Sequence, residues 1–175
     1  QLPDGAYAAI INSDRQIAAI ARTDWQASGG AATYSNVLPG TDVAVPLAVK
    51  DYYGQCSLVS VQNTDTDAPA NVAVEVYESG AATPTKTVNA QISQGTSVTF
   101  DMCGGDDFAE LPEGFIGSLR VKSATEVGVQ SFIDIETSQK AVYAFEGVPA
   151  DNAAATLYAP LFRARQPFNP NDPNT

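Results

Sequence analysis

A chain of 175 residues can bury one sizeable core or two small ones, and this one sets 9 basic against 20 acidic residues, a formal charge of −11 with no histidine. A surface of that sign repels nucleic acid and anionic membranes, and the missing histidine removes both the usual base of serine catalysis and the commonest metal ligand. Charged residues make up only 17% of the chain, below the roughly 25% of an average soluble domain. No run is apolar enough to insert in a membrane, and no cofactor is implied.

Residues 1–12 read as a first strand with Tyr7, Ala9 and Ile11 on its inward face, and Gln1 at the front fits a processed, exported chain. A second strand spans 17–22, Ser28-Gly29-Gly30 marks a turn, and Gly40-Thr41-Asp42-Val43 enters another strand. In the central stretch 58–62 supplies a strand, and Asn63 to Pro69 a loop rich in turn residues. From 70 to 78 the residues Val72, Val74 and Val76 alternate with Asn71, Ala73, Glu75 and Tyr77, the period of two of a half-buried strand. Two more strands, 88–92 and 98–102, follow the turn signals Ser79-Gly80 and Gln94-Gly95. Residues 114–165 read as a third set of strands. The end of the chain, from Phe162 to Thr175, is rich in Pro and Asn and forms neither helix nor central strand.

Cys56 and Cys103 bracket the central strands. If those strands run up, down, up and down, both cysteines fall at one end of the unit, which predicts a disulfide and an oxidising compartment; two free buried thiols are the other reading. With no Cys-x-x-Cys pair and no histidine, a zinc site is not expected.

The flanking segments look like copies of the centre. Ser28-Gly29-Gly30-Ala31-Ala32 parallels Ser79-Gly80-Ala81-Ala82-Thr83, and Gly40-Thr41-Asp42-Val43 parallels Gly95-Thr96-Ser97-Val98. Leu2-Pro3-Asp4-Gly5 returns as Leu111-Pro112-Glu113-Gly114. This pattern predicts three related four-stranded units, 1–50, 51–110 (the disulfide-clasped one) and 111–165, followed by an extended tail, 166–175. The fold class is all-β, an antiparallel immunoglobulin-like or jelly-roll-like sandwich. A single four-stranded layer cannot cover its own apolar face. The units therefore merge into one sandwich, or the odd one is completed by a neighbouring chain, or it belongs to a longer array.

Val61-Gln62-Asn63 before a turn, the Val-x-Val-x-Val strand 72–76 and Gly95-Thr96-Ser97-Val98 entering a later strand resemble the immunoglobulin-like repeats of bacterial surface proteins of the CARDB type. The resemblance covers residues 56–102 and implies an extracellular spacer or adhesive module.

Candidate chemistry is sparse. Asn63, Asp65 and Asp67 offer an N-x-D-x-D set of oxygens to calcium, although the glycine and distal glutamate of an EF-hand are missing, and an Asx-rich loop explains them equally. Asp134 and Glu136 share one strand face and would be a carboxylate pair only if a cleft separated them suitably. Trp25, Tyr52 and Tyr53 are candidates for stacking on glycan rings, against the alternative of cross-strand packing. The expected function is structural and non-enzymatic: a subunit of a cell-surface filament, pilus-like fibre or surface layer, self-associating into a homopolymer through exposed strands. Residues 1–12, with Tyr7, Ala9 and Ile11, or the tail, with Arg163, Arg165, Pro167 and Phe168 against a neighbour's acidic surface, are the expected crossing pieces. The alternative is an adhesin or carbohydrate-binding module of a larger surface protein.

Overall fold

The computed structural model describes residues 7–25, 30–135 and 142–152, which form ten strands and one short 3-10 turn. The protein is all-β. β1 (Ile20–Trp25) and β2 (Gly30–Ser35) pair as an antiparallel hairpin that stands as its own small sheet. The other strands are β3 (Gly40–Lys50), β4 (Gln55–Asn63), β5 (Ala70–Glu78), β6 (Lys86–Ile92), β7 (Ser97–Asp101), β8 (Phe115–Ile135), β9 (Val142–Glu146) and β10 (Val148–Pro149).

β8 organises the sandwich. Its 21 residues serve both layers in turn. From Phe115 to Ser123 it pairs with β3 on one side and β5 on the other; from Val127 to Ile135 it pairs with β4 and β9. One layer therefore runs β10-β3-β8-β5-β6 and the other β9-β8-β4-β7, all antiparallel. The sequence explains why one strand can do this. Odd-numbered positions Phe115, Leu119, Val121, Val127, Val129 and Ile133 are apolar and buried, with the smaller Ser123 and Thr125 on the same period where the strand passes from one layer to the other.

The core is a valine interior. Val43 and Val45 from β3, Val59 and Val61 from β4, Val74 and Val76 from β5, and Val121, Val127 and Val129 from β8 all have no exposed surface, and they belong to one cluster. β-branched side chains are stiff and fit a pleated, buried surface, which favours strand over helix at each of these positions. Phe108 and Leu111 close one end of the cluster from the loop after β7. Lys50 pins that loop by donating from Nζ to the carbonyls of Phe108 at 2.8 Å and Leu111 at 2.7 Å.

The central strands form where the alternation places them, with 70–78 matching end to end. They do not make one layer. β4 pairs with β7 and β5 with β6, in opposite layers, so the central stretch covers its own apolar face. Among the described residues a single core cluster draws on β3, β4–β7 and β8.

Two expectations need correction. Residues 7–19 carry no strand, and Tyr7, Ala9 and Ile11 do not face inward: all three are exposed, Ile11 by 65%. The physical reason is that the valines of β3, β4, β5 and β8 already fill the interior, leaving no inward place for another strand. Within the segment read as a third set of strands, residues 115–135 run as one strand. The tail residues Arg163, Arg165, Pro167 and Phe168 lie outside the described residues.

Candidate functional site

The two cysteines are joined, with their Cα atoms 5.8 Å apart. Leu58 stands opposite Asp101 in the β4–β7 register, and Met102 donates its N–H to the Ser57 carbonyl at 3.0 Å. Cys56 and Cys103 are therefore the next facing pair, and the bond extends the ladder by one covalent rung. Cys103 lies at the surface, and its Sγ accepts the Asp51 N–H at 3.3 Å. The chain reversal beside it needs a left-handed backbone at Asp51, Tyr53 and Gly54, with φ of 47°, 54° and 74°.

Asn63, Asp65 and Asp67 do not converge as cation ligands. Asn63 is fully buried at the end of β4. Its Nδ2 donates to the Ala68 carbonyl at 2.8 Å and the Ile92 carbonyl at 3.3 Å, while its Oδ1 accepts the Asp65 N–H at 3.0 Å. Asp65 Oδ1 in turn accepts the N–H groups of Asp67 and Ala68 at 2.8 and 3.2 Å. This is an Asx-type loop in which side-chain oxygens cap backbone donors. Among the described residues no three acidic or cysteine side chains gather as a metal set.

The aromatic candidates are not brought together. Tyr52 and Tyr53 pack edge to face, ring centres 4.8 Å apart, at the reversal between β3 and β4, with Tyr53 81% exposed. Trp25 ends β1 at the tip of the hairpin, and its side chain is outside the described part. Of the carboxylate pair, Glu136 is likewise outside. Asp134 lies on β8 facing Cys56 and Val142 in register.

On the outer face of the first layer, side chains from three strands form a polar ladder that the sequence did not announce. Arg120 on β8 reaches Asp42 on β3 through two nitrogens, Nε to Oδ1 at 2.8 Å. Lys122, two residues on, reaches Glu75 on β5 at 2.9 Å, and the Tyr77 hydroxyl donates to Glu75 at 2.6 Å. Desolvation pushes the Glu75 carboxyl upward, but the hydrogen bonds from Tyr77 and Lys122 and the charges of Lys122 and Arg120 outweigh it and hold the group below its ordinary 4.5. A carboxylate whose folded-state value is depressed contributes stability that is present above the unfolded value and lost as pH falls through the folded one. The urea midpoint is therefore expected to fall as pH drops below about 4.5, and Glu75→Gln should flatten that acid limb; an unchanged limb would remove Glu75 from the account.

The outer face of the second layer is covered differently. Residues 7–11, with Ile17 and the end of β2, lie over β4, β7 and β8 and bound a groove of about 600 Å³. Its floor is Ser60 and Gln62 from β4, Ser97 and Thr99 from β7, and Gln130 from β8; Ile10, Ile11, Ile17 and Tyr34 stand along its walls. Among the described residues every one that lines it is uncharged. Gln130 is only 6% exposed. Its Nε2 donates to the Phe145 carbonyl at 2.9 Å, while its Oε1 is buried without a partner among the described residues. Beneath Tyr34, Phe132 packs edge to face with ring centres 5.5 Å apart. Glu146 on β9 ties the hairpin down by accepting the Ser35 N–H and hydroxyl, both at 2.9 Å.

No family model matches the chain, and no curated protein matches it. Among solved structures it is similar to Thermotoga maritima 1070, at 16% identity and a TM-score of 0.51, over 65% of this chain and 97% of that one. It is also similar to the Anabaena sensory rhodopsin transducer, at 18% identity and a TM-score of 0.45, over 55% of this chain and 99% of that one. The Thermotoga likeness extends to the all-β fold and no further.

Proposed function

We propose that this chain is a non-enzymatic, extracellular structural subunit that associates with copies of itself through its strand edges. The observation that carries the reading is the pair of edges at one side of the sandwich. Among the described residues β6 pairs only with β5, and β7 only with β4, so each layer ends there. After Lys86 at its start, β6 has no charged residue, and β7 has none before Asp101. Soluble β proteins commonly protect such edges with inward-pointing or flanking charges. Two neutral edges in a chain of charge −11 fit strand addition, in which main-chain hydrogen bonds join neighbours. The cross-strand disulfide supports an oxidising location, as do the motifs shared with CARDB-type surface repeats. Exposed apolar side chains such as Ile11 and Ile20, 65% and 80% exposed, add surface that an assembly would cover.

The test is solution mass and negative-stain electron microscopy on the non-reduced protein, wild type beside Asn89→Lys/Gln91→Lys on β6. Wild type should form filaments or large oligomers, and the lysine pair should return it to a particle of 18.3 kDa with its melting temperature kept. A wild-type protein that stays monomeric at high concentration sinks the proposal. A second reading, an adhesin or carbohydrate-binding module of a larger surface protein, is supported by the uncharged groove over β4, β7 and β8.

A further inference from the structure

We infer that the groove between residues 7–17 and the outer face of β4, β7 and β8 is a binding site for a short neutral saccharide. Its volume, about 600 Å³, lies in the usual range for small-molecule sites. The chemistry of its two sides differs. The floor carries hydroxyls and amides, Ser60, Gln62, Ser97, Thr99 and Gln130, whereas Ile10, Ile17 and Tyr34 supply aliphatic and aromatic wall. A sugar ring has the matching division: C–H faces that pack on apolar and aromatic surface, and hydroxyl edges that both donate and accept.

Competing ligand classes fit less well. Among the described residues of the lining an anionic ligand would meet no cation, and a cationic one no carboxylate. A purely apolar ligand would strip water from the four accessible polar side chains of the floor, Ser60, Gln62, Ser97 and Thr99, and give them nothing back. An extended peptide would find no ladder, because the floor is the face of a sheet whose backbone already pairs β4 with β7 and β8. Gln130 adds an independent pointer. Its Nε2 is fixed by the Phe145 carbonyl, and its Oε1 is a buried acceptor with no donor among the described residues, where polar atoms are normally satisfied. Ser60 and Thr99, hydrogen-bonded to each other at 2.8 Å, each keep acceptor capacity for a second hydroxyl.

Tyr52 and Tyr53 do not line this site, and it does not depend on self-assembly. A sugar-binding monomer would defeat the polymer reading and leave this one standing. The experiment is a neutral-glycan array with the full, non-reduced chain, followed by calorimetric titration of the strongest neutral oligosaccharide, with an oligogalacturonate as the charged control. Saturable binding of a neutral oligosaccharide, not of the oligogalacturonate, is expected. Gln62→Ala/Thr99→Ala should weaken it at least tenfold with the melting temperature kept, and Tyr53→Ala should leave it unchanged. Ser97→Trp, which fills the groove from an accessible position, should abolish binding and guards against a floor variant that folds poorly. No saturable binding to any neutral glycan overturns the inference, as does binding that survives both the floor pair and Ser97→Trp.

Discussion

Reduction of the Cys56–Cys103 bond is expected to lower the melting temperature by about 10–15 °C, and Cys56→Ser/Cys103→Ser should reproduce the loss without reductant. The bond closes a segment of 47 residues, and constraining a loop of that length in the unfolded chain is worth roughly 4 kcal/mol in the chain-entropy model. For a chain of this size each kcal/mol moves the midpoint by about 2–4 °C. Because Cys103 is exposed, dithiothreitol should reach the bond in the native state, before any unfolding. The fold itself should survive in the cold, since the valine core belongs to all the main strands rather than to the clasp. Scanning calorimetry with and without reductant decides it. A shift under about 3 °C would mean that the unfolded chain is already compact around this loop, so that the cross-link removes little freedom.

The residues that were legible in the sequence share one property: their environment is set by near neighbours. Val72, Val74 and Val76 alternate with polar partners, and the strand 70–78 follows from that alone. Gly80 and Gly95 mark reversals because each sits at positive φ, 81° and 64°, where a side chain would be strained. β8 was not legible as one strand. Ser123 and Thr125 lie on its inward period and look like a loop between two valine runs, and 21 residues is far beyond the mean strand of about 5–6. Only its pairing with β5 before Ser123 and β4 after Val127 shows that the small side chains mark the passage between layers. The exposure of Tyr7 and Ile11 was hidden for a related reason: alternation shows that one face is apolar, not that an interior place remains for it. The groove brings Ile17, Tyr34, Gln62, Thr99 and Gln130 to one lining, which no local pattern joins. One signal was present all the same: the outward positions Ser60, Gln62, Ser97 and Thr99 are neutral in a strongly acidic chain.

Asn63→Ala should be the most damaging change outside the core valines, with a loss of about 3–4 kcal/mol. The amide has no exposed surface and ties together three pieces of chain: the end of β4, the loop to β5 through Ala68 and Asp65, and the end of β6 through Ile92. Alanine would leave the Asp65 N–H and the Ala68 carbonyl without that partner in a partly buried place, at roughly 1–3 kcal/mol for each group, with a small cavity besides. Asn63→Asp is the sharper probe. It keeps the size and the Oδ1 acceptor but replaces the Nδ2 donor with an oxygen facing the Ala68 and Ile92 carbonyls, so it should be at least as destabilising at neutral pH. If the residue instead served calcium, aspartate would be the tolerated replacement, and millimolar calcium would raise the melting temperature of both proteins. Guanidinium unfolding at pH 7 with calcium or with a chelator separates the two accounts. Equal losses for the two variants, indifferent to calcium, fit the backbone-capping role; rescue of Asn63→Asp by calcium would overturn it.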